Sequence, residues 1–158
     1  MNIKKTANLV MNFAIKRLAE ILGFIIFSGG TMLLISLITY SPEDPNFIFP
    51  DNTEIKNLLG FQGSFVSDLF FQSFGLIAYL ISLTFIITGI NIFRTKEFFL
   101  IIENTFFAIL YCVLGALFLS YFYSKGFTLF INGNGGFIGS YLNQTFLSSL
   151  IQINSTVS

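Results

Sequence analysis

Few side chains in this sequence could do chemistry. It contains no histidine, and Cys112 is its single cysteine. Ser–His and Cys–His nucleophile pairs are therefore excluded, as are the usual zinc ligand sets and any internal disulfide. The cluster Gly133-Asn134-Gly135-Gly136-Phe137-Ile138-Gly139 invites comparison with phosphate-cradling loops. It lacks the glycine spacing of a dinucleotide fingerprint and the Gly-Lys-Ser/Thr of a Walker loop, so it reads as a flexible turn. The carboxylates bordering apolar stretches are Glu20 and Glu103. Each falls within a turn of a stretch boundary, where it can reach headgroups, so neither reads as a proton relay. Arg17 lies three residues before Glu20, on the same helix face, and the two are expected to pair. No catalytic, cofactor-binding or metal-binding residue is assigned, and no cofactor is expected in this segment.

The elements around these residues are set by solvent. Of 158 residues 54% are apolar and 10% charged, with a mean hydropathy of +0.78, too few charges to face water around a soluble domain of this size. Three uncharged stretches of twenty residues, Ile21 to Tyr40, Phe74 to Phe93 and Asn104 to Tyr123, each match the roughly 30 Å of hydrocarbon as helices. A helix satisfies its own peptide groups in lipid, which an isolated strand does not. The expected fold is an all-α integral membrane protein with three transmembrane helices, an interfacial N-terminal helix, and outer loops bearing short helices. Its divisions are residues 1–20, cytoplasmic and interfacial; 21–123, the membrane domain with spans 21–40, 74–93 and 104–123 and outer loop 41–73; and 124–158, an outer glycine-rich segment.

Orientation follows the cations. Lys4, Lys5, Lys16, Arg17, Arg94 and Lys96 fall on one side, and only Lys56 and Lys125 on the other. This puts the N-terminus in the cytoplasm. Pro42 and Pro45 end the first helix, Pro50 and Asn52 mark an irregular loop, and Ser64 reads as the N-cap of a short helix leading through Asp68 into the second span. Asp44 and Asp68, near the ends of the first two spans, are read as helix caps or partner contacts, as are Arg17 and Glu20. Small residues recur along the second span at Gly75, Ala78, Ser82 and Gly89. In the third they recur at Ala108, Cys112, Ala116 and Ser120, with Gly115 alongside. Such stripes let helix backbones approach closely and are read as packing faces.

Ordered motifs then carry a family resemblance. They are Arg17, Glu20 and Gly23 entering the first span; Tyr40-Ser41-Pro42-Glu43-Asp44-Pro45 closing it; Asn57, Gly60, Gly63-Ser64 and Asp68; Phe74-Gly75-Leu76-Ile77-Ala78-Tyr79-Leu80; and Gly135-Gly136-Phe137-Ile138-Gly139. In this order they resemble the N-terminal four-span membrane domain of FtsK/SpoIIIE-type DNA translocases. The departure is at the end, where Phe137 to Ile151 is broken by Asn143, Gln144, Ser148 and Ser149. The chain is therefore read as cut before the fourth span, with the linker and motor missing. The resemblance implies an anchor that holds a cytoplasmic DNA pump at the division septum of a bacterial inner membrane and links chromosome partition to cell division. ATP, Mg and DNA would then be met only through the missing motor. Implied partners are the bilayer, further copies of the chain and membrane proteins of the division complex. The alternative is a small transporter or channel subunit, which needs polar groups converging at mid-membrane, where the spans offer Ser, Thr, Tyr and Asn91.

Overall fold

The computed structural model describes residues 3–45, 54–123 and 132–147, with side chains over 8–45, 54–123 and 132–145. Pro50, Asn52, Lys125 and the last eleven residues, 148–158, lie outside the described residues. The elements are α1 (Ile3–Ile38), α2 (Gly60–Phe74), a 3-10 turn (Gly75–Ile77), α3 (Ala78–Thr95), α4 (Phe99–Phe122) and α5 (Gly136–Leu142), which runs into a π-helical turn (Asn143–Leu147). No strand occurs among the described residues.

Three helical stretches are long and apolar enough to cross a membrane: Asn8–Ile38, Gly60–Thr95 and Phe99–Phe122. The second is 36 residues, about 54 Å if straight, nearly twice the hydrocarbon thickness. It is broken where Gly75 takes a positive φ of 59°. α3 is therefore the crossing segment, and α2 is a separate helix packed at the C-terminal end of α1. The short helix expected to start at Ser64 starts at Gly60 instead. Its N-cap residue, Leu59, makes no side-chain cap, and Ser64 lies buried inside the helix. Nor is the N-terminal segment a separate interfacial helix, for it continues α1 without a break.

α1 and α3 run antiparallel and share the largest helix–helix interface. Gly23 lies against Gly89 and Phe93, Gly30 against Ile86, and the Tyr79 hydroxyl donates to the Leu37 carbonyl at 3.3 Å. α4 runs back along α3, joined to it by Tyr111 with Thr84 and by Asn104 donating to Thr88, both at 2.8 Å. The core gathers Leu33, Leu37, Phe71, Ile77, Ala78, Ile81 and Cys112. Phe71 sits edge-on between Tyr40 and Tyr79, at 5.0 and 5.4 Å between ring centres. Outside this core the large apolar side chains of α4, among them Phe106, Ile109, Leu114 and Phe118, are exposed, as lipid-facing positions must be.

Candidate functional site

The densest polar constellation is a clasp at the C-terminal end of α1. A helix leaves its last four carbonyls without intrahelical partners. Here the Asn57 side chain reaches back thirteen residues beyond Asp44 and donates to the Ser36 carbonyl at 2.9 Å, and more weakly to that of Thr39. Asn57 is itself held: the Asp44 carboxylate accepts the backbone N–H groups of Lys56 and Asn57, both at 2.8 Å. Asp44 and Asn57 are both buried. The Ser36 hydroxyl donates to the Gly63 carbonyl, and Ser64 donates to the Pro45 carbonyl at 3.0 Å. Gly63 is required by crowding, since a Cβ there would meet the Leu59 side chain at 2.5 Å and run into the Asn57 amide.

Two further ties close the clasp. The Tyr40 hydroxyl donates to the Asp68 carboxylate at 3.1 Å. Burial, reinforced by the Asp68 charge, pushes the Tyr40 phenol well above its ordinary range, so it remains a proton donor. On the solvent side Lys56 pairs with Glu43. The ammonium holds the Glu43 carboxyl below its ordinary value, and the carboxylate raises Lys56. The capping role expected for Asp44 and Asp68 is a correction: neither stands at a helix terminus. Asp44 orders the chain ahead of α2, and Asp68 lies inside α2 and receives Tyr40 from α1.

The glycine cluster is also not simply a flexible turn. Gly133 and Gly136 take positive φ, at 74° and 64°, and α5 follows and packs between α2 and α4. Leu76 donates its N–H to the Asn134 carbonyl at 3.0 Å, and the Asn134 amide donates to the Tyr123 carbonyl at 2.8 Å. A Cβ on Gly136 would fall 2.6 Å from the Gly75 nitrogen, and one on Gly139 2.8 Å from the Ala116 carbonyl carbon. These glycines serve close backbone approach.

The small-residue stripes divide among several partners. In α3, Ala78, Ser82 and Gly89 are buried, with Gly89 in the α1 seam, whereas Gly75 sits at the kink against Asn134. In α4, Cys112 joins the core, Gly115 faces Ile77, and Ala116 and Ser120 receive α5 at Gly135 and Gly139. Ala108 instead lines an apolar groove of about 750 Å³, with Gly29 and Leu33 of α1, Thr88 of α3 and Ile138 of α5 around it.

At the opposite end of the α1–α3 seam Glu20 takes Arg17 at 2.6 Å and Lys96 at 2.8 Å, tying α1 to the α3–α4 link. Lys96 has a left-handed φ of 64° and its N–H closes α3 on the Ile92 carbonyl. Sequence spacing pointed to Arg17 as the Glu20 partner and missed Lys96, 76 residues away. It also missed the Asn57 cap, whose only signal was Asn57's place among the ordered motifs.

The geometry defines a class: a helical multi-pass membrane domain whose polar side chains clasp its own helices together. The sequence profile described as the 4TM region of DNA translocase FtsK/SpoIIIE matches residues 15–157. The chain thus belongs to the FtsK/SpoIIIE membrane-domain family. It is 32% identical over 77 residues to the DNA translocase FtsK of Rickettsia typhi, covering 49% of this chain and 10% of that protein. It is 37% identical over 78 residues to that of Rickettsia bellii, covering 49% and 10%. With the DNA translocase FtsK of Azospirillum brasilense it shares 30% identity over 112 residues, 70% of this chain and 17% of the relative. The chain thus matches only a small fraction of these relatives' length. No solved structure matches it.

Proposed function

We propose that this chain is the membrane-anchoring N-terminal domain of a septal DNA translocase. It tethers a cytoplasmic motor to the division site and so links chromosome segregation to cell division. One observation carries the reading. Residues on which the family resemblance rests hold the clasp together: Tyr40 binds Asp68, Asp44 binds the Asn57 backbone, Asn57 lies against Gly63, and Ser64 binds the Pro45 carbonyl. Residues engaged in this way build a scaffold, and a scaffold matched to a translocase's membrane region is an anchor.

In this reading the N-terminus is cytoplasmic, which the cation asymmetry supports, and the clasp faces the periplasm. A motor in the cytoplasm needs an even number of crossings, so the reading calls for a fourth crossing besides the three among the described residues. ATP and Mg belong to the motor, DNA is met only through it, and this segment has no catalytic role. Its working contacts are lateral, with lipid, with further copies and with division-complex membrane proteins.

The test is localisation. A fluorescent protein fused ahead of Met1, on the cytoplasmic side of the proposed topology, should gather at midcell in dividing bacteria. Even labelling of the whole membrane by an intact, inserted fusion would remove the septal role.

A further inference from the structure

Along one side of their seam α1 and α3 leave a notch. Its floor is the backbone at Gly23 and Gly89, where the two helices meet, and its walls are Phe24 and Phe27 of α1 with Ile90 and Phe93 of α3. Its volume is about 180 Å³. An apolar cavity of roughly 150 Å³ accepts a benzene ring, so the notch has room for a short length of hydrocarbon chain. It cannot seat a helix, whose diameter with side chains is about 10–12 Å. The notch opens away from α4. Thr88 turns towards α4, where it receives Asn104, and Ile90, two residues on, points about 200° around α3 from it. Phe24, Ile90 and Phe93 are all exposed.

Charge selects the occupant. Arg94, in the last turn of α3, also lines the notch, and it makes no ion pair or hydrogen bond among the described residues. Glu20, one turn before Gly23 on α1, is engaged by Arg17 and Lys96. At this end of the seam Lys16, Arg17, Arg94 and Lys96 stand against Glu20 and Glu97, an excess of positive charge. An apolar slot with an unpaired guanidinium at its mouth complements the two halves of an anionic phospholipid, its hydrocarbon tail and its phosphate. A zwitterionic lipid fits less well, because its own ammonium competes for the phosphate and meets the surplus cations.

We propose that the notch over Gly23 and Gly89 is a binding site for an anionic phospholipid, with one acyl chain against Phe24 and Phe93 and the headgroup phosphate held by Arg94. The chain has no tryptophan, so a single one reports its own surroundings. Phe24→Trp places it in the notch wall. Ile102→Trp places it at a matching depth on the exposed side of α4, since Gly23 meets Gly89 and Asn104 meets Thr88. Each variant, in the full chain and shown to be inserted by alkaline extraction, is reconstituted into mixtures of phosphatidylcholine and phosphatidylglycerol in which one or the other carries brominated chains. At Phe24→Trp, quenching should report a preference of about fivefold for phosphatidylglycerol, the effect of one cation beside an anionic headgroup, while Ile102→Trp should be quenched alike by both lipids. Adding Arg94→Gln should abolish the preference at Phe24→Trp. Equal quenching by the two lipids there, or a preference that survives Arg94→Gln, would overturn the proposal. The same preference at both positions would also overturn it, as general gathering of anionic lipid around the protein's cations. Quenching of Phe24→Trp by neither lipid would overturn it in favour of protein, such as a second copy, covering the notch.

Discussion

Replacing Gly89 by alanine adds one methyl group at the tightest point of the α1–α3 seam. Its Cβ would lie 2.6 Å from the Gly23 carbonyl oxygen and 2.7 Å from the Phe27 Cα. Both are backbone atoms, as is the still nearer Phe27 nitrogen at 2.4 Å, so no rotamer change relieves the clash, and the helices must part by about 1.0 Å to regain the 3.4 Å of ordinary contact. A gap of that size forfeits about a quarter to a half of each affected dispersion contact along the seam. Overpacking of this kind costs about 1–3 kcal/mol, offset by up to about 1 kcal/mol from alanine's better helix propensity. The expected net loss is about 1–2 kcal/mol. Gly29 supplies the control, since it lies in α1 with nothing within 4 Å of its would-be Cβ. Gly29→Ala keeps the propensity gain without the clash and should be neutral or stabilising. Unfolding by SDS titration in mild detergent, followed by circular dichroism, measures both variants. Equal stability of the two would refute the argument that backbone contact at Gly89 holds α1 to α3.

Within the α4 stripe, Ala116→Leu should cost about 1–3 kcal/mol in the same titration, because α5 lies against Ala116, whereas Ala108→Leu should be well tolerated because Ala108 opens on a groove. Asn57→Ala should destabilise by about 1–3 kcal/mol, since it strips the Ser36 carbonyl of its buried partner, while Leu58→Ala, at an exposed neighbour, should change little. The Glu43–Lys56 pair should shape the pH profile of the melting temperature at both ends. The lowered Glu43 contributes above its ordinary 4.5 and is lost as pH falls through its folded value. The raised Lys56 contributes below its ordinary 10.5 and is lost as pH rises through its own. Tyr40, also raised, adds an alkaline loss above its ordinary 10.0, which Tyr40→Phe should abolish, and Glu43→Gln should abolish the pair's acid limb. For topology, Leu58→Cys in a Cys112→Ser background should react with a membrane-impermeant thiol reagent in spheroplasts and Thr95→Cys should not; the reverse pattern would invert the proposed orientation. Leu58 is chosen because its neighbour Asn57 is buried.

Much about this protein is local in origin and was legible residue by residue. The apolar stretches sufficed for an all-α membrane fold, because lipid admits no backbone group without an internal partner. The order of the motifs from Arg17 to Gly139 sufficed for the family. The Arg17–Glu20 pair followed from helical spacing alone. Tertiary structure decided what each motif residue is for. Asp44 and Asp68 have the residue type and placement of caps, yet they bind Asn57's backbone and Tyr40, which only the fold brings near. The glycines after Tyr123 carry the signature of a loose turn, and that signature equally permits the backbone contact α5 makes with Ala116. A small residue lowers steric cost wherever it sits, so its presence cannot say which neighbour uses the space. The partner is fixed by how α1, α2 and α5 meet around α3 and α4, and that meeting depends on residues dozens of positions apart.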